Sequence, residues 1–364
     1  MIDSPRARFL SYVRDPRGNR QVVSPFLPHP DVVSATLRFC GLDPGDDPVS
    51  NEILLARELD YEPMFMTECT DLIFPWEVDE GRSTEDCEVS TIVTPRGAWE
   101  RRVSRSLGLW GDTSGFPVKT EADHEMLALV CRQVADREPV IRTHLRRWRE
   151  RVGDGGVIVL GHPHPSWLGY QVSPENIFFH WKDYTKAYCK SMEAVTEAAL
   201  VVMRVALQEG IDFMSDSSYG LEMTSPSLVE EMDLPGLRRL SAWTHERGGL
   251  FWYHNCGRTR ELIAAGVFDR IEADVLETIA PPPTGDNDLA ESRVKLTRRT
   301  CSKGNLCLGL LRDGSREEVV RASRAIVEAV RGFPHIVSTA DAVLPGTPPE
   351  NFVAFVREAR EGAA

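Results

Sequence analysis

The sequence predicts an α/β protein on a parallel sheet, organised as a (β/α)8 TIM barrel. Three observations carry this. Short β-branched or aromatic runs alternate with helix-like segments of ten or more residues over the C-terminal two thirds, the pattern of β/α units. Several of these runs end in or near polar residues, namely Asp216, His254, Asn305 and Asp341. In a (β/α)8 barrel the C-terminal strand ends surround the active site. The main alternative is a doubly wound open sheet. A dinucleotide-binding version would carry a glycine-rich fingerprint after its first strand, and none is present.

The elements follow in order. The N-terminal third is dense in proline (Pro25, Pro28, Pro30, Pro44, Pro48) and reads poorly. Met64-Phe65-Met66 is strand-like and enters the barrel, and Thr91 to Gly97 begins a hairpin. Val157 to Leu160 is a β-branched run bounded by glycines, and Lys186 to Gln208 is a long helix stopped by Gly210. Ile211 to Met214 reads as a strand entering the polar Ser215-Asp216-Ser217-Ser218. Ser225-Pro226 opens a helical segment, and Leu237 to Arg247 continues as helix. A glycine turn leads into Leu250-Phe251-Trp252-Tyr253, a buried strand ending at His254. A helix from Thr259 to Ala265 and a strand-like Asp269 to Ala273 come next. The rigid Pro281 to Gly285 loop precedes a short helix from Asp288 to Val294, with Asp286 or Asp288 as its cap. A polar strand reaches Gly304-Asn305. Helix Arg316 to Arg331, strand His335 to Ser338 and a last helix opened by Pro348-Pro349 complete the chain.

Composition excludes several function classes. The 364 residues suffice for one large barrel or two ordinary domains. A net charge of −13 argues against nucleic acid or an anionic membrane as partner. No stretch is apolar for the ~18 residues a membrane span needs. The N-terminus lacks the apolar core of a signal peptide, so a cytoplasmic location is expected. The eight cysteines have no framework spacing and no Cys-x-x-Cys pair, so most are expected as free thiols. The arginine-dense stretch from Arg142 to Arg151 reads as a solvated helix face.

His254-Asn255-Cys256-Gly257 is the strongest chemical signal. Residues i and i+2 of a strand share a face, so His254 and Cys256 project together. Imidazole and thiolate are natural zinc ligands, though two ligands do not complete a site. Asp216, with two serines beside it, is a candidate for proton transfer or substrate contact. Asn305 is a candidate hydrogen-bonder. His162-Pro163-His164-Pro165 follows a strand, placing His162 and His164 at the barrel mouth as substrate contacts. Trp167 and Tyr170 offer an aromatic wall. Each has a plainer reading as a cap, a turn or a packing residue.

Three local patterns resemble the uroporphyrinogen decarboxylase superfamily, and within it the zinc-dependent, corrinoid-linked methyltransferase branch. They are Tyr253-His254-Asn255-Cys256-Gly257 with Ala265 to Asp269, Lys303-Gly304-Asn305-Leu306 with Gly314 to Val319, and Val337-Ser338 leading to Gly346-Thr347-Pro348-Pro349-Glu350-Asn351. Order and spacing match from about Gly210 to Arg360. The resemblance implies a single barrel domain over residues 1–364, with N-terminal helical and hairpin decorations and the first strands in 1–150 and most of the barrel in 151–364. Asp216-Ser217-Ser218-Tyr219-Gly220 resembles the decarboxylases' Asp-Ser-Trp-x-Gly element. Their arginine-rich N-terminal signature is absent, which disfavours porphyrinogen decarboxylation.

The methyltransferases use a His, a Cys and a distant second Cys on zinc. Here Asp341 stands where the distant thiolate would be, and carboxylate oxygen is an accepted zinc ligand. Glu277 is the alternative anionic ligand, or a substrate contact; Cys301 and Cys307 are lesser candidates. The resemblance implies a zinc-dependent methyltransferase or demethylase acting on a small molecule. Its corrinoid would arrive on a separate protein, since no cobalamin-binding Asp-x-His-x-x-Gly signature occurs. The rivals are a metal-free decarboxylase-type lyase with Asp216 central, and a non-catalytic corrinoid- or tetrapyrrole-binding barrel that has lost a ligand at position 341.

Overall fold

The computed structural model describes residues 4–94, 96–104, 116–161, 171–173, 176–218 and 225–362. Its strands, in chain order, are β1 (Met64–Glu68), β2 (Glu77–Val78), β3 (Cys87–Thr94), β4 (Gly97–Ser104), β5 (Val157–Gly161), β6 (Phe213–Ser218), β7 (Leu250–Asn255), β8 (Val275–Thr278), β9 (Cys301–Leu306) and β10 (His335–Thr339). Seven of them form one sheet in the order β1-β5-β6-β7-β8-β9-β10, and β2-β3-β4 form a second. The chain separates into two compact units, Met1–Thr67 with Arg147–Val159 and Ile211–Ala364, and Glu68–Arg146 with Leu160–Gly210.

The first unit holds most of the larger sheet. Sheet order follows chain order, and β6 to β10 pair in parallel. This is the α/β class expected. Between the edge strands the backbone of Val22–Ser24 supplies a short bridge rather than a full strand. Val23 bridges Val337 of β10 in parallel, and its carbonyl receives the Glu62 N–H just ahead of β1. The sheet is therefore a curled seven-strand parallel sheet with one short stave across its gap.

One face of this sheet gathers Met64, Val157, Val159, Phe213, Leu250, Trp252, Val275, Cys301 and Ile336 into a single apolar cluster, joined by Phe9, Tyr12 and Val13 of helix Pro5–Arg14. Side chains from all seven strands meet there, so this face is the interior. Phe9 and Phe213 both pack against Trp252, with ring centroids 6.3 and 5.3 Å away. Strand period then dictates which later residues face inward. The first helix forms because Ser4 caps it, accepting from the Ala7 N–H, and Pro5 opens its first turn. A Ser315–Glu318 capping box starts helix Arg316–Ala329 in the same way.

Two boundaries differ from expectation. Asp269–Ala273 is not strand: Phe268–Arg270 is a 3-10 turn, and β8 begins at Val275. Isolated Ile271 between charged residues cannot fill both faces of a parallel strand, whereas Val275 and Leu276 are both buried. β6 also extends further than Met214, so Ser215 to Ser218 are strand. Of the two candidate caps for the short helix, Asp288 is the one used; Asp286 instead accepts the N–H groups of Thr259 and Arg260 at the start of another helix.

The second unit contains the β3–β4 hairpin, paired antiparallel from Cys87↔Ser104 to Thr94↔Gly97, where the sequence placed a hairpin turn. It also contains the long helix Thr185–Gln208. Between this helix, Glu121–Arg132 and Ile177–Asp183 lies a buried polar chain. His124 Nδ1 is 3.0 Å from Ser191 Oγ, and His124 Nε2 is 3.1 Å from His180 Nδ1. Ser191 Oγ donates to the Tyr188 carbonyl. Burial lowers both histidines, His124 to about 4, with His180 adding to the effect on His124.

Of the arginines expected to form a solvated face, Arg146, Arg147 and Arg151 are exposed, and Arg142, Arg146, Arg149 and Arg151 are also ion-paired. Arg142 and Arg146 hold Glu209 in the second unit. In the first, Asp212 receives Arg6 Nε at 2.8 Å, Arg149 Nη1 at 3.1 Å and the Ile158 backbone N–H at 2.9 Å, joining the start of β6 to β5. All eight cysteines are free thiols, with Cys69, Cys131 and Cys301 buried. Among the described residues no helix is long and apolar enough to cross a membrane.

Two outcomes follow. Asp212→Ala is expected to lower unfolding free energy by about 2–3 kcal/mol in urea denaturation, since hydrogen bonds to a charged group are lost; a loss within error contradicts the clamp. The unfolded chain binds protons on His124 and His180 more readily than the folded one. Their contribution is therefore complete above pH ~6.5 and is lost as pH falls toward about 4. Replacing both by Gln should flatten that part of the stability–pH curve; an unchanged slope contradicts it.

Candidate active site

The interior face changes character along the strands. Its lower part is the apolar cluster around Trp252, Val275 and Cys301. One alternation further on, β7 offers His254, β8 Glu277 and β9 Lys303. The three are register partners, His254↔Glu277 and Glu277↔Lys303, so they stand side by side across adjacent strands. Parallel pairing brings together residues far apart in sequence.

Glu277 is the hub. Its Oε1 accepts from Lys303 Nζ at 2.5 Å, and its Oε2 from Trp252 Nε1 at 3.0 Å. Oε2 also lies 3.3 Å from His254 Nδ1. The side chains of Glu277 and Lys303 are wholly buried, and that of His254 is 21% exposed. Burial alone would raise the carboxyl pKa of Glu277. The Lys303 charge and the hydrogen bond and charge of His254 outweigh it and hold Glu277 below the usual carboxylate range. Burial alone would likewise lower His254. Its hydrogen bonds to Cys256 and Glu277, with the charges of Glu277 and Asp341, override this and raise it well above the ordinary value.

Cys256 follows the end of β7, exposed, and near enough to His254 to help raise its pKa. Strand geometry was expected to align the two, but β7 ends at Asn255, so Cys256 lies beyond the strand. Asp341 lies just after β10, half-buried. Its charge acts on His254, while its Oδ1 accepts the Ala342 N–H at 2.7 Å. It thus combines the turn-capping role with nearness to the centre. Asn305 donates from Nδ2 to the Ile279 carbonyl at 3.0 Å and is 6% exposed.

Asp216 is placed differently. Six consecutive register pairs run from Phe213↔Leu250 to Ser218↔Asn255. Ser217 pairs with His254 and shares its face, whereas Asp216 pairs with Tyr253 and points to the opposite face. There Ser218 donates to Asp233 at 2.8 Å and Asn255 Nδ2 to the Tyr253 hydroxyl at 3.1 Å. Burial, then the charge of Asp233, push Asp216 well above the carboxylate range, against the Ser217 N–H. Burial raises Asp233 to about 6. The strand-end position was visible in sequence; the extra strand residues that reverse the side chain were not. Cys301 belongs to the apolar cluster, and Cys307 is the N-cap residue of helix Leu308–Asp313. His162, His164, Trp167 and Tyr170 lie outside the described residues.

The residues fit zinc by donor type. They offer an imidazole, a thiol and a carboxylate. One ring nitrogen of the His is tied to a second carboxylate, the usual companion of a metal-bound His. Among the described residues, no three His, Cys, Asp or Glu side chains are grouped closely enough to hold a metal as they stand. The pair His254–Cys256 is assembled; a third donor would have to close on it. Lys303 and Trp252 were given no role from sequence. A lysine inside a strand that is buried throughout is the signal that marks Lys303.

A sequence profile of the family described as "Uroporphyrinogen decarboxylase (URO-D)" matches residues 117–362, more than half of the chain. An 85-residue stretch is 35% identical to a protein named uroporphyrinogen decarboxylase from Gluconobacter oxydans (strain 621H), a match spanning 23% of each chain. Over 99% of both chains the fold is similar to that of a methyltransferase from Methanosarcina mazei, with a TM-score of 0.65 and 15% identity. At that identity the likeness is one of fold.

Glu277→Gln is expected to lower the pH midpoint of His254, followed by NMR titration of its ring protons, because it removes one of the groups that raise it. A midpoint equal to wild type contradicts the pairing.

Proposed function

Because the chain belongs to the uroporphyrinogen decarboxylase family, we propose that it is a zinc-dependent methyltransferase or demethylase moving a methyl group between a small molecule and a corrinoid or thiol acceptor. The observation that carries the reading is His254 at the open end of β7, its Nδ1 3.3 Å from the buried Glu277 carboxylate, with Cys256 two residues on. His254 and Cys256 would hold the metal, with Asp341 as third donor. Zinc bound there would act as a Lewis acid, lowering the pKa of a bound thiol or polarising a methoxy or methylamino group. The protein's own residues supply the rest. Glu277 orients the imidazole, and Lys303 balances the Glu277 charge. Cys256 and Asp341, both reachable from solvent, complete the donor set at the open end. A corrinoid acceptor would be delivered by a separate protein.

A second reading, a metal-free lyase of the decarboxylase type, draws support from the raised pKa of His254. Without a metal that ring is placed to pass a proton to a substrate. Metal content separates the two. Protein purified without chelator is expected to carry about one zinc per chain, lost in His254→Ala and Cys256→Ser and reduced in Asp341→Ala. Full activity in metal-free protein contradicts the zinc reading and favours the lyase. Unchanged zinc in Asp341→Ala removes Asp341 from the donor set.

A further inference from the structure

Glu277 and Lys303 form a buried ion pair where the fold has no need of one. One alternation below, the same two strands present Val275 and Cys301, also register partners, which fill the interior with apolar atoms. A buried ion pair is often no more stabilising than apolar residues of the same volume. Two rings flank the ammonium: Lys303 Nζ lies 5.8 Å from the Trp252 ring centre and 5.9 Å from that of Phe26. The pair is better explained by what it does to the carboxylate. Oε1 is committed to Lys303, which leaves Oε2 for Trp252 and His254.

We propose that Lys303 is a positioning residue of the His254–Cys256 centre, acting through Glu277. By holding Oε1 it fixes the plane of the carboxylate, so that Oε2 accepts the His254 Nδ1–H. A carboxylate only accepts hydrogen bonds, so the proton stays on Nδ1 and Nε2 is the nitrogen left for a ligand. Without Nζ the carboxylate is free to rotate off the imidazole, and the ring loses its anchor. The Trp252 N–H donates to the same oxygen and limits its movement from below. The ammonium also cancels the Glu277 charge, so the net charge of the centre is set by Cys256 and Asp341. The importance of this for metal binding rests on the reading of His254 as a metal donor; the anchoring itself does not.

The test uses full-length protein labelled with 15N-histidine. Two variants are compared with wild type: Lys303→Met, which removes the cation on Oε1, and the conservative Lys303→Arg, which keeps one there and guards against reading misfolding as loss of the anchor. Two quantities are read: the His254 Nδ1 proton by NMR, and the zinc Kd by chelator competition. Wild type is expected to show a downfield, slowly exchanging Nδ1 proton. Lys303→Met should lose it and bind zinc about 10–100-fold more weakly, and Lys303→Arg should restore both. A Lys303→Met protein that keeps the protected proton and wild-type zinc affinity overturns the proposal and leaves the pair a packing feature. If wild type binds no zinc but Lys303→Met still loses the proton, the methyltransferase reading fails and the positioning role stands. If the proton is absent from wild type, the positioning role fails whatever the zinc result.

Discussion

One buried negative charge organises this site. Glu277 sits in the interior with three donors around it, from Lys303, Trp252 and His254. An unpaired carboxylate there would be strongly destabilising, so each donor is as much a requirement of Glu277 as Glu277 is of them. The arrangement reaches outward through His254 to Cys256 and Asp341, and downward through Trp252 to the Phe9 and Phe213 rings. Core packing and site chemistry therefore share one residue. The indole fills the apolar cluster with its ring and serves the carboxylate with its N–H.

The parallel sheet makes this economical in sequence. Adjacent parallel strands in register place His254, Glu277 and Lys303 side by side with no loop involved. Their positions are as rigid as the strands, which suits a centre whose donors must be held closely. The two flanking candidates differ. Cys256 and Asp341 lie just past strand ends, outside the ladder that fixes the other three.

Much of this was legible in the chain. Strand–helix alternation gave the α/β class, and His-x-Cys at a strand end marked the centre. Strand alternation turns Asp216 away from the His254 face, but only once β6 is known to run through Ser218. Serine and aspartate are poor strand formers, so the sequence reads as a loop there. β8 was misplaced because Asp269–Ala273 has a strand-like look that lacks residues for both faces. Lys303 stayed without a role because a pair 26 residues apart is joined by register, which periodicity within one strand does not reveal.

The central claim is that the interior centre built on Glu277 presents His254 and Cys256 to a zinc ion. The most direct test is a crystal of the full chain grown with zinc, with diffraction recorded on both sides of the zinc absorption edge. The account predicts one strong anomalous peak within bonding distance of His254 Nε2 and Cys256 Sγ, with Glu277 still on Nδ1. No peak at that position, or zinc bound elsewhere, would contradict it.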